Sequence, residues 1–361
     1  MQIEENIRRA HTLPSTFYRD KTVFEQVKEK IFAKTWLYVA DADCVKCPGD
    51  VYPFTLLEGV LDEPLLLARD MDGHLYCLSN VCTHRGKIIA EEPGNCHQLR
   101  CGYHGRCFHL DGSFKSMPGF QAAEHFPTPA DNLAKISVRE WLGMVFVSLD
   151  PAFDFEEATR PMLERTRFLP LDTLTFCEEG TKDYHIRANW ALYCDNYLEG
   201  FHIPFVHPAL NQALDFKQYD YETFPYCNLQ TGIADDGEPH YDIPPGMPDY
   251  GKRVYAWYFW LFPNLMFNFY PWGLSLNVVE PLDYAQTRVR FRTYRFREVP
   301  FNRTVNNLEK TELEDEAVVE SVQRGIQSRF YHQGRFSPSM EKGVHHFHRL
   351  VAGFLSNSSG R

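Results

Sequence analysis

The chain has 361 residues and a formal net charge of −11 without any basic run, so we expect no nucleic-acid partner. No apolar run approaches membrane-spanning length, and the polar, charged N-terminus lacks the apolar segment of a secretory signal. We therefore expect a cytoplasmic protein with no membrane partner. In such a reducing compartment, clustered cysteines and histidines bind metal more often than they form disulfides, and this chain has ten cysteines.

The first 150 residues divide into a helical segment and a strand-rich region. Residues 1–37 carry apolar side chains at helical spacing before a strand opens near Trp36. From 38 to 150, short apolar runs alternate with turn signals such as Asp72-Gly73. This alternation predicts a small antiparallel all-β domain over 38–150.

Two potential metal-binding motifs lie inside this region: Cys82-Thr-His84-Arg-Gly and Cys101-Gly-Tyr-His104-Gly. A glycine beside each motif lets the backbone approach a metal closely. Two thiolates and two imidazoles suit tetrahedral zinc, although zinc modules usually carry CxxC knuckles or helical HxxxH pairs. The form CxH…CxxH on β loops instead resembles the Rieske [2Fe–2S] site, in which two histidines replace two cysteines on one iron. This resemblance implies that Cys82 and Cys101 hold one iron and that His84 and His104 hold the other.

A second cluster of potential ligands lies in 189–207, which reads NWALYCDNYLEGFHIPFVH. If the segment begins as a helix, Glu199 and His202 stand three residues apart on one face. Pro204 breaks a helix interior, so the chain can turn and bring His207 back toward His202. Two imidazoles and one later carboxylate are the ligand set of non-haem Fe(II) oxygenases, which leave positions open for O2.

A helix predicted near Leu308 to Ile326 supplies the candidates for the later carboxylate. Asp315 lies on a stripe at helical spacing that also contains Leu308, Thr311, Val318, Val319, Val322 and Ile326. The remaining acids lean toward more polar faces: Glu312, Glu316 and Glu320. Because a buried carboxylate needs a cation or a metal as partner, Asp315 is the best third iron ligand and Glu314 is the alternative. A partly exposed aspartate near a frayed helix start remains the simpler interpretation.

The two motif regions together resemble the α (terminal oxygenase) subunit of Rieske non-haem iron oxygenases, and the resemblance runs from Trp36 to His348. It implies an α+β protein in which a Rieske [2Fe–2S] all-β domain precedes a helix-grip catalytic domain of antiparallel sheet and helices. The Rieske domain would span 38–150 and the mononuclear iron domain 151–361, with 1–37 packing on the catalytic domain. The resemblance also implies a head-to-tail homotrimer, in which one subunit's cluster faces its neighbour's iron.

The resemblance further implies roles for single residues and for partners. By motif position, Glu199 is the electron bridge between a cluster histidine and an iron ligand, while His202, His207 and Asp315 bind the mononuclear Fe(II). O2 is the co-substrate. Because the sequence has no flavin-binding, nicotinamide-binding or plant-type cluster motif, a separate flavin/iron–sulfur reductase or ferredoxin is expected to deliver electrons. NAD(P)H would then act only through that reductase.

The substrate is expected to be a small organic molecule that is hydroxylated or demethylated. Glu199, where ring-hydroxylating members more often carry aspartate, and the aromatic strand PNLMFNFYPWG look most like the choline, betaine and carnitine branch. That branch acts next to a quaternary nitrogen, and aromatic faces bind such cations well. The pocket candidates are Trp257, Tyr258, Trp260, Tyr270 and Trp272.

Other interpretations of the sequence remain open. The aromatic stripe is also what an ordinary core contains. An aromatic-ring hydroxylating or O-demethylating oxygenase is the nearest alternative activity. A Rieske electron carrier with a degenerate second site, and a zinc-stabilised binding module without redox activity, are the alternatives that are not oxygenases.

Overall fold

The computed structural model describes residues 1–207, 220–297 and 305–356, and of 305–309 it describes the backbone alone. The chain divides into two compact units, Ala33–Ala152 and Met1–Phe32 together with Phe153–Arg361. The sequence analysis placed the corresponding limits at 38 and 150. We refer to Ala33–Ala152 as the smaller unit and to the rest as the larger unit.

The smaller unit consists of short antiparallel strands joined by turns. Its strands are β1 (Leu37–Asp41), β2 (Asp50–Leu56), β3 (Glu63–Arg69), β4 (Leu75–Ser79), β5 (Gly94–Asn95), β6 (Leu99–Arg100), β7 (Cys107–Phe108), β8 (Phe114–Ser116), β9 (Lys135–Trp141) and β10 (Met144–Ser148). One sheet has the order β1-β10-β9-β4-β3-β2-β5, and a second has the order β6-β7-β8. The core between them includes Leu66, Leu78 and Phe108, together with Cys82 and Cys101. The structure therefore confirms the small antiparallel β domain.

The larger unit contains one long antiparallel sheet. Its strands are β11 (Leu174–Ile186), β12 (Asp220–Phe224), β13 (Cys227–Ile233), β14 (Val254–Leu261), β15 (Leu265–Tyr270), β16 (Gly273–Pro281) and β17 (Thr287–Phe296). Within the described residues they pair in the order β11-β17-β16-β15-β14-β13-β12. Every residue of β15 and β16 is buried. Strands buried on both faces require covering layers, which the helices provide.

The helices of the larger unit come from both ends of the chain and from its middle. They are α1 (Ser15–Arg19), α2 (Lys21–Lys30), α3 (Phe155–Thr166), α4 (Trp190–Tyr197), α5 (Ile203–Val206), α6 (Val305–Ile326) and α7 (Lys342–Ser356). Helix α3 packs on β13 and β14, α4 on β16, α6 on β11 and α7 on β12. This arrangement confirms the predicted α+β domain. No helix in the described ranges is both long and apolar enough to cross a membrane.

Hydrogen bonds of buried and partly buried groups hold the N-terminal segment to the rest of the larger unit. The amide of Leu13 donates to Nδ1 of His348 at 3.0 Å, and the hydroxyl of Tyr18 donates to Asp195 Oδ2 at 2.9 Å. Oδ1 of Asp195 lies 2.8 Å from Nε2 of His348, so the three side chains join the N-terminal segment, α4 and α7.

Helix α4 is fixed at its start by side chains. Asn189 caps it, because its Oδ1 accepts a hydrogen bond from the amide of Ala191 at 3.0 Å. The amide of Asn189 itself donates to Oε1 of Gln323 on α6 at 2.9 Å. The N-terminus of α4 is therefore held against α6.

The chain leaves α4 before it reaches the predicted ligands, which corrects the assumption that Glu199 and His202 share a face of one helix. Helix α4 ends at Tyr197, and a turn follows before α5. Pro204 lies in the first turn of α5, where a missing N–H is tolerated. It therefore helps to begin the second helix and does not interrupt the first.

Helix α6 presents an inward face that differs in part from the predicted stripe. Asp315 and Val319 lie on this face, as predicted. Glu312, which was assigned to a polar face, is buried, whereas Val322, which was assigned to the stripe, is 43% exposed. Positions 312, 315 and 319 follow the i, i+3, i+7 spacing of one helix face, so the stripe is rotated toward Glu312. The side chain of Leu308, also assigned to the stripe, lies outside the described residues.

Gly343 provides a test of the packing between α7 and the end of α4. A Cβ at this position would overlap the carbonyl oxygen of Leu198. We expect Gly343→Ala to lower the free energy of unfolding by about 1–3 kcal/mol, because the two segments must separate to admit the methyl group. Chemical denaturation measures this change.

Gly353 is the matched control, because it lies on the same helix and a Cβ there would meet no heavy atom within 4 Å. Gly353→Ala should leave stability unchanged or raise it by up to about 1 kcal/mol through helix propensity. Equal stability of the two variants would contradict the close approach.

Candidate functional site

Two turns of the smaller unit repeat the same backbone geometry. The amide of each motif cysteine donates to the carbonyl five residues later, at 2.9 Å for Cys82 and 2.8 Å for Cys101. Each cysteine carbonyl accepts from a glycine amide four residues later, Gly86 at 2.9 Å and Gly105 at 3.1 Å. Both glycines have positive φ, 71° and 73°, a conformation that favours glycine over other residues.

These turns place the four predicted cluster ligands in two pairs. Cys82 and Cys101 are buried, whereas His84 is partly buried and His104 is exposed. The Nδ1 atoms of the two histidines lie 3.1 Å apart. Two nitrogens that each lie about 2.1 Å from one tetrahedral metal are separated by roughly 3.4 Å, so this spacing suits ligands of a common ion. A buried thiol pair and a less buried imidazole pair fit the donor set of a Rieske cluster.

Aromatic side chains hold the two imidazole rings in place. Tyr103 stacks on His104 with 3.7 Å between ring centroids, and Phe120 packs edge-on against His84 at 5.5 Å. These contacts limit the rotation of the imidazoles while leaving them accessible at the surface.

The other cysteines of the smaller unit behave as ordinary thiols. Burial raises the pKa of Cys44 to about 11, so this thiol stays protonated, and Cys47 is exposed. Cys107 is buried, and the partly buried Cys96 packs against the core. None of these side chains interrupts the two ligand turns.

The larger unit brings His202, His207 and Asp315 together. One ligand atom from each residue lies within 4.8 Å of the other two. Asp315 Oδ1 is 2.9 Å from Nε2 of His207 and 3.4 Å from Nε2 of His202. The side chain of Asp315 is 15% exposed and that of His207 is 1% exposed, so the three groups converge in a largely dry site.

A second carboxylate orients each imidazole from its far side. Nδ1 of His202 lies 2.7 Å from Glu199 Oε1, and Nδ1 of His207 lies 2.8 Å from Glu314 Oε2. Both Nε2 atoms are therefore left facing Asp315. Carboxylates in this position fix the tautomer and orientation of metal-binding histidines. The geometry favours Asp315 over Glu314 as the third ligand and gives Glu314 a supporting contact instead.

Glu199 is held rigidly by the turn that contains it. Its Oε2 accepts hydrogen bonds from the amides of His202, at 3.1 Å, and Phe201, while Oε1 contacts the His202 ring. The carboxylate thus caps the turn between α4 and α5. This local hydrogen bonding replaces the helix that the sequence analysis assumed.

The electrostatics of the group suit a bound cation. Burial opposes charge on His202, but hydrogen bonds to Asp315 and Glu199 outweigh it and raise the pKa of His202 to about 9. Burial alone would raise the pKa of Asp315, yet its hydrogen bonds with His202 and His207 lower it. The carboxylates therefore demand positive charge between them. Two imidazole nitrogens and one carboxylate oxygen fit the donor set of a mononuclear Fe(II) site.

A cavity of about 150 Å³ opens beside this group. It is bounded by the metal-site residues, by tyrosines and by carboxamides. The lining residues are Tyr193, Asn196, Tyr197, Glu199, His202, Ile203, His207, Gln230, Tyr255, Tyr258, Asn268, Tyr270, Ser275, Asn277, Phe291, Thr311, Glu312 and Asp315. A small organic molecule bound in the cavity would therefore contact the three converging groups directly.

The cavity corrects part of the predicted aromatic pocket. Tyr258 and Tyr270 line it, but the three tryptophans do not. Trp257 is wholly buried and its Nε1 donates to Asp249 at 3.1 Å, and Trp260 is buried against other aromatic rings. Trp272 stacks on Tyr270 with 5.1 Å between ring centroids. The strands are buried on both faces, so alternation along the sequence does not reveal which side chains face the cavity.

The sequence analysis missed Tyr193, Tyr197 and Glu312 as lining residues. The two tyrosines stand four residues apart on α4 and precede Glu199, so both can face the same side of the helix. That spacing was a usable signal for an aromatic wall beside the metal site. Glu312 stands three residues before Asp315 on α6, which was a second signal.

Comparisons with known proteins match both the smaller and the larger unit of the chain. Residues 174–357 match the family described as ring hydroxylating alpha subunit (catalytic domain), and residues 35–127 match the Rieske [2Fe-2S] domain. The carnitine monooxygenase oxygenase subunit of Acinetobacter pittii is 30% identical over 95% of this chain and 94% of its own. The chloroplastic choline monooxygenase of Arabidopsis thaliana is 28% identical over 96% of this chain and 83% of its own.

A solved structure of a quaternary ammonium Rieske monooxygenase, described in terms of carnitine oxidation and inter-subunit electron transfer, also resembles this chain. It is 27% identical and superimposes with a TM-score of 0.78 over 98% of this chain and 99% of its own. The predicted resemblance, fold class and cofactors are confirmed by these matches.

The cluster turns predict the spectrum of the purified protein. It should be red-brown and, once reduced, should show the rhombic low-g EPR signal of a histidine-ligated [2Fe–2S] centre. His84→Ala should abolish or shift that signal, because one of two paired nitrogens is removed. Cys44→Ser is the control and should leave it intact. A colourless protein that contains zinc would refute the assignment.

The two acidic residues of α6 predict different effects on mononuclear iron. Asp315→Ala should lose this iron while retaining the red cluster, because a direct ligand is removed. Glu314→Ala should weaken iron binding by about 10–100-fold but recover full loading at high iron concentration. Metal analysis before and after dialysis separates the two results, and the reverse order would make Glu314 the ligand.

Proposed function

Because the chain belongs to the family of Rieske non-haem iron oxygenase α subunits, we propose that it is the terminal oxygenase for a small quaternary ammonium compound. Its cofactors are a [2Fe–2S] cluster and a mononuclear iron. The enzyme would hydroxylate or demethylate a substrate of the choline, betaine or carnitine type. The observation that carries this proposal is a cavity walled by tyrosine rings that ends at His202, His207 and Asp315.

The ligand assignments are part of the proposal. Cys82, Cys101, His84 and His104 hold the cluster, and His202, His207 and Asp315 hold the iron. The iron, when bound, supplies the site at which O2 is activated beside the substrate. The chain's own contribution is to keep both Nε2 atoms aimed at Asp315, since Glu199 and Glu314 occupy the Nδ1 atoms.

Aromatic rings suit the proposed substrate class. The hydroxyphenyl rings of Tyr258 and Tyr270 stand nearly perpendicular, with centroids 5.9 Å apart, and Tyr255 is similarly placed 6.1 Å from Tyr270. Such a wall offers ring faces in several directions to a rounded cation. Ring faces attract quaternary ammonium groups through their negative quadrupole, and dry surroundings strengthen the attraction.

Glu199 is the proposed electron bridge. Its carboxylate contacts an iron-ligand imidazole through one oxygen and is fixed by backbone amides through the other. In a head-to-tail homotrimer, His104, which is exposed, or the partly buried His84 of a neighbouring subunit would approach this carboxylate. Exposed aromatic side chains beside both sites support such an interface: Tyr103 is 56% exposed and Phe205 is 79% exposed. The inter-subunit electron transfer described for the solved relative supports it as well.

Electrons would come from a separate protein. The sequence contains no flavin-binding, nicotinamide-binding or plant-type cluster motif, so a flavin/iron–sulfur reductase or a ferredoxin is the expected donor. NAD(P)H would act only through that partner. A pure electron carrier would not need the convergence of His202, His207 and Asp315, and a zinc module would not belong to this family.

Turnover with a surrogate reductase tests the proposed function. Iron-loaded protein, reductase and NADH should consume O2 in the presence of quaternary ammonium compounds, and labelled O2 should enter the product. Aromatic acids and aryl methyl ethers should give little product. Coupled turnover of the aromatic compounds alone would favour the ring-hydroxylating or O-demethylating alternative.

Glu199→Gln tests the electron bridge. The amide keeps the shape of the side chain but lacks the charge and the second acceptor oxygen. We expect a reducible cluster, near-normal iron content and single-turnover product formation slowed by about 100-fold or more. Glu199→Asp retains a carboxylate and should recover part of the rate. Loss of iron from Glu199→Gln would make Glu199 a ligand, and an unchanged rate would place the electron route elsewhere.

A further inference from the structure

Glu312 is a carboxylate of the cavity wall that neither the proposed iron site nor the bridge uses. It lines the cavity from α6 and is only 4% exposed. The hydroxyl of Tyr193 donates to its Oε2 at 2.7 Å. Its Oε1 has no hydrogen-bond partner among the described residues. A carboxylate this deeply buried normally has a cation or several donors beside it.

The surroundings of Glu312 lack that positive partner. Burial, together with repulsion from Asp315 and Glu316, outweighs the hydrogen bond from Tyr193 and raises the pKa of Glu312 well above its usual range. A metal ion on Asp315 would cancel the repulsion from that side. Positive charge next to Glu312 would favour its ionised form, and the cavity is the space from which a ligand could supply that charge.

The polar groups of the cavity favour a ligand that brings positive charge or hydrogen-bond donors. No lysine or arginine is found among the described lining residues. The side-chain amide of Gln230 already donates to the carbonyl of Tyr197 at 2.7 Å, and that of Asn268 donates to the carbonyl of Ser275 at 3.2 Å. Among the described residues, Oε1 of Gln230 is buried without a hydrogen-bond partner. Oε1 of Glu312 and Oε1 of Gln230 are thus unpaired acceptors, while the amide groups of Gln230 and Asn268 already donate within the protein.

We propose that Glu312 binds the positive charge of the substrate and that the cavity selects a monocation without a carboxylate, such as choline, over zwitterions such as betaine and carnitine. This inference rests on the proposed function and refines it. Glu312 would supply the charge and the tyrosine rings the surface for the methyl groups. A substrate carboxylate would meet Glu312 and Glu199 without an arginine or lysine to neutralise it, and an unpaired like charge is an effective means of rejecting a ligand.

The proposal also accounts for the charge near the iron. A divalent ion held by one carboxylate and two neutral imidazoles keeps one positive charge, which Glu199 and Glu314 offset from the far side of the imidazole rings. Glu312, one helical turn from Asp315, can supply negative charge on the cavity side, where the substrate lies. Glu312 would therefore be a specificity-determining residue for the proposed substrate class.

Calorimetric binding to the anaerobic holoenzyme tests the proposal without turnover. The probes are choline, L-carnitine and 3,3-dimethyl-1-butanol, a neutral compound in which carbon replaces the charged nitrogen of choline. Wild-type protein should bind choline at least about tenfold more tightly than either other probe. Glu312→Gln should raise the Kd of choline by about tenfold and change that of the neutral probe by less than about twofold.

Glu316→Gln is the matched control, because it removes a carboxylate from the same helix at a position that does not line the cavity. It should leave the Kd of choline within about twofold of the wild-type value. Far-ultraviolet circular dichroism and the mononuclear iron content report whether the larger unit, which contains Glu312 and Glu316, is folded in each variant. If Glu312→Gln does not fold, the comparison of the three probes on wild-type protein still decides the selectivity.

The outcomes separate this inference from the proposed function. Tight carnitine binding by wild-type protein, or equal losses for choline and the neutral probe in Glu312→Gln, would overturn the role of Glu312 while leaving a quaternary ammonium oxygenase in place. If no ammonium compound binds or is oxidised and an aromatic compound is, the proposed function itself fails.

Discussion

The contact between Asp315 and the two imidazoles is the interaction on which the rest of the catalytic unit depends. It joins His202 in the turn before α5 and His207 at the end of α5 to the middle of α6, a segment far away in sequence. A carboxylate buried to this degree destabilises the fold unless cationic or donor groups surround it. His202 and His207 provide those groups, and Glu199 and Glu314 hold the rings from behind. A change in the geometry of these three side chains would therefore also disturb the packing of α6, and a shift of α6 would disturb their geometry.

The surrounding structure holds α4 and α6 in register on either side of this contact. At the start of α4 the amide of Asn189 bonds to Gln323, and four residues later Tyr193 bonds to Glu312. At the end of α4, the absence of a side chain at Gly343 lets α7 approach the carbonyl of Leu198. These contacts limit the movement of the turn that carries Glu199. An electron bridge and a metal ligand placed on a short turn need such support, because the turn alone is too small to fix their positions.

The parts of the site that the sequence predicted are those set by short spacing along the chain. The cluster motifs could be read directly, because each pair of ligands lies within one turn closed by its own backbone hydrogen bonds. Helical spacing predicted that Asp315 lies on the inward face of α6, but it did not predict that Glu312 lies on the same face. The tryptophans were misassigned because β14–β16 are covered on both faces, so burial gives no sign of the face that borders the cavity. The turn between α4 and α5 was missed because the carboxylate of Glu199 satisfies amides that a helix would otherwise satisfy.

The metal ligands and the cavity wall are subject to different constraints. The proposed ligand pair, His202 and His207, is specified within a few residues and must keep its geometry for any chemistry to occur. The wall is assembled from two helices and several strands, and a change at one wall position such as Glu312 alters the charge offered to a substrate without moving the ligand turn. The motifs therefore determine the class of reaction, whereas the choice of substrate depends on side chains that only the folded structure brings together. A chain can share the ligand motifs with choline and carnitine enzymes alike. Its discrimination between their substrates then depends on the balance of charge among the side chains that line the cavity.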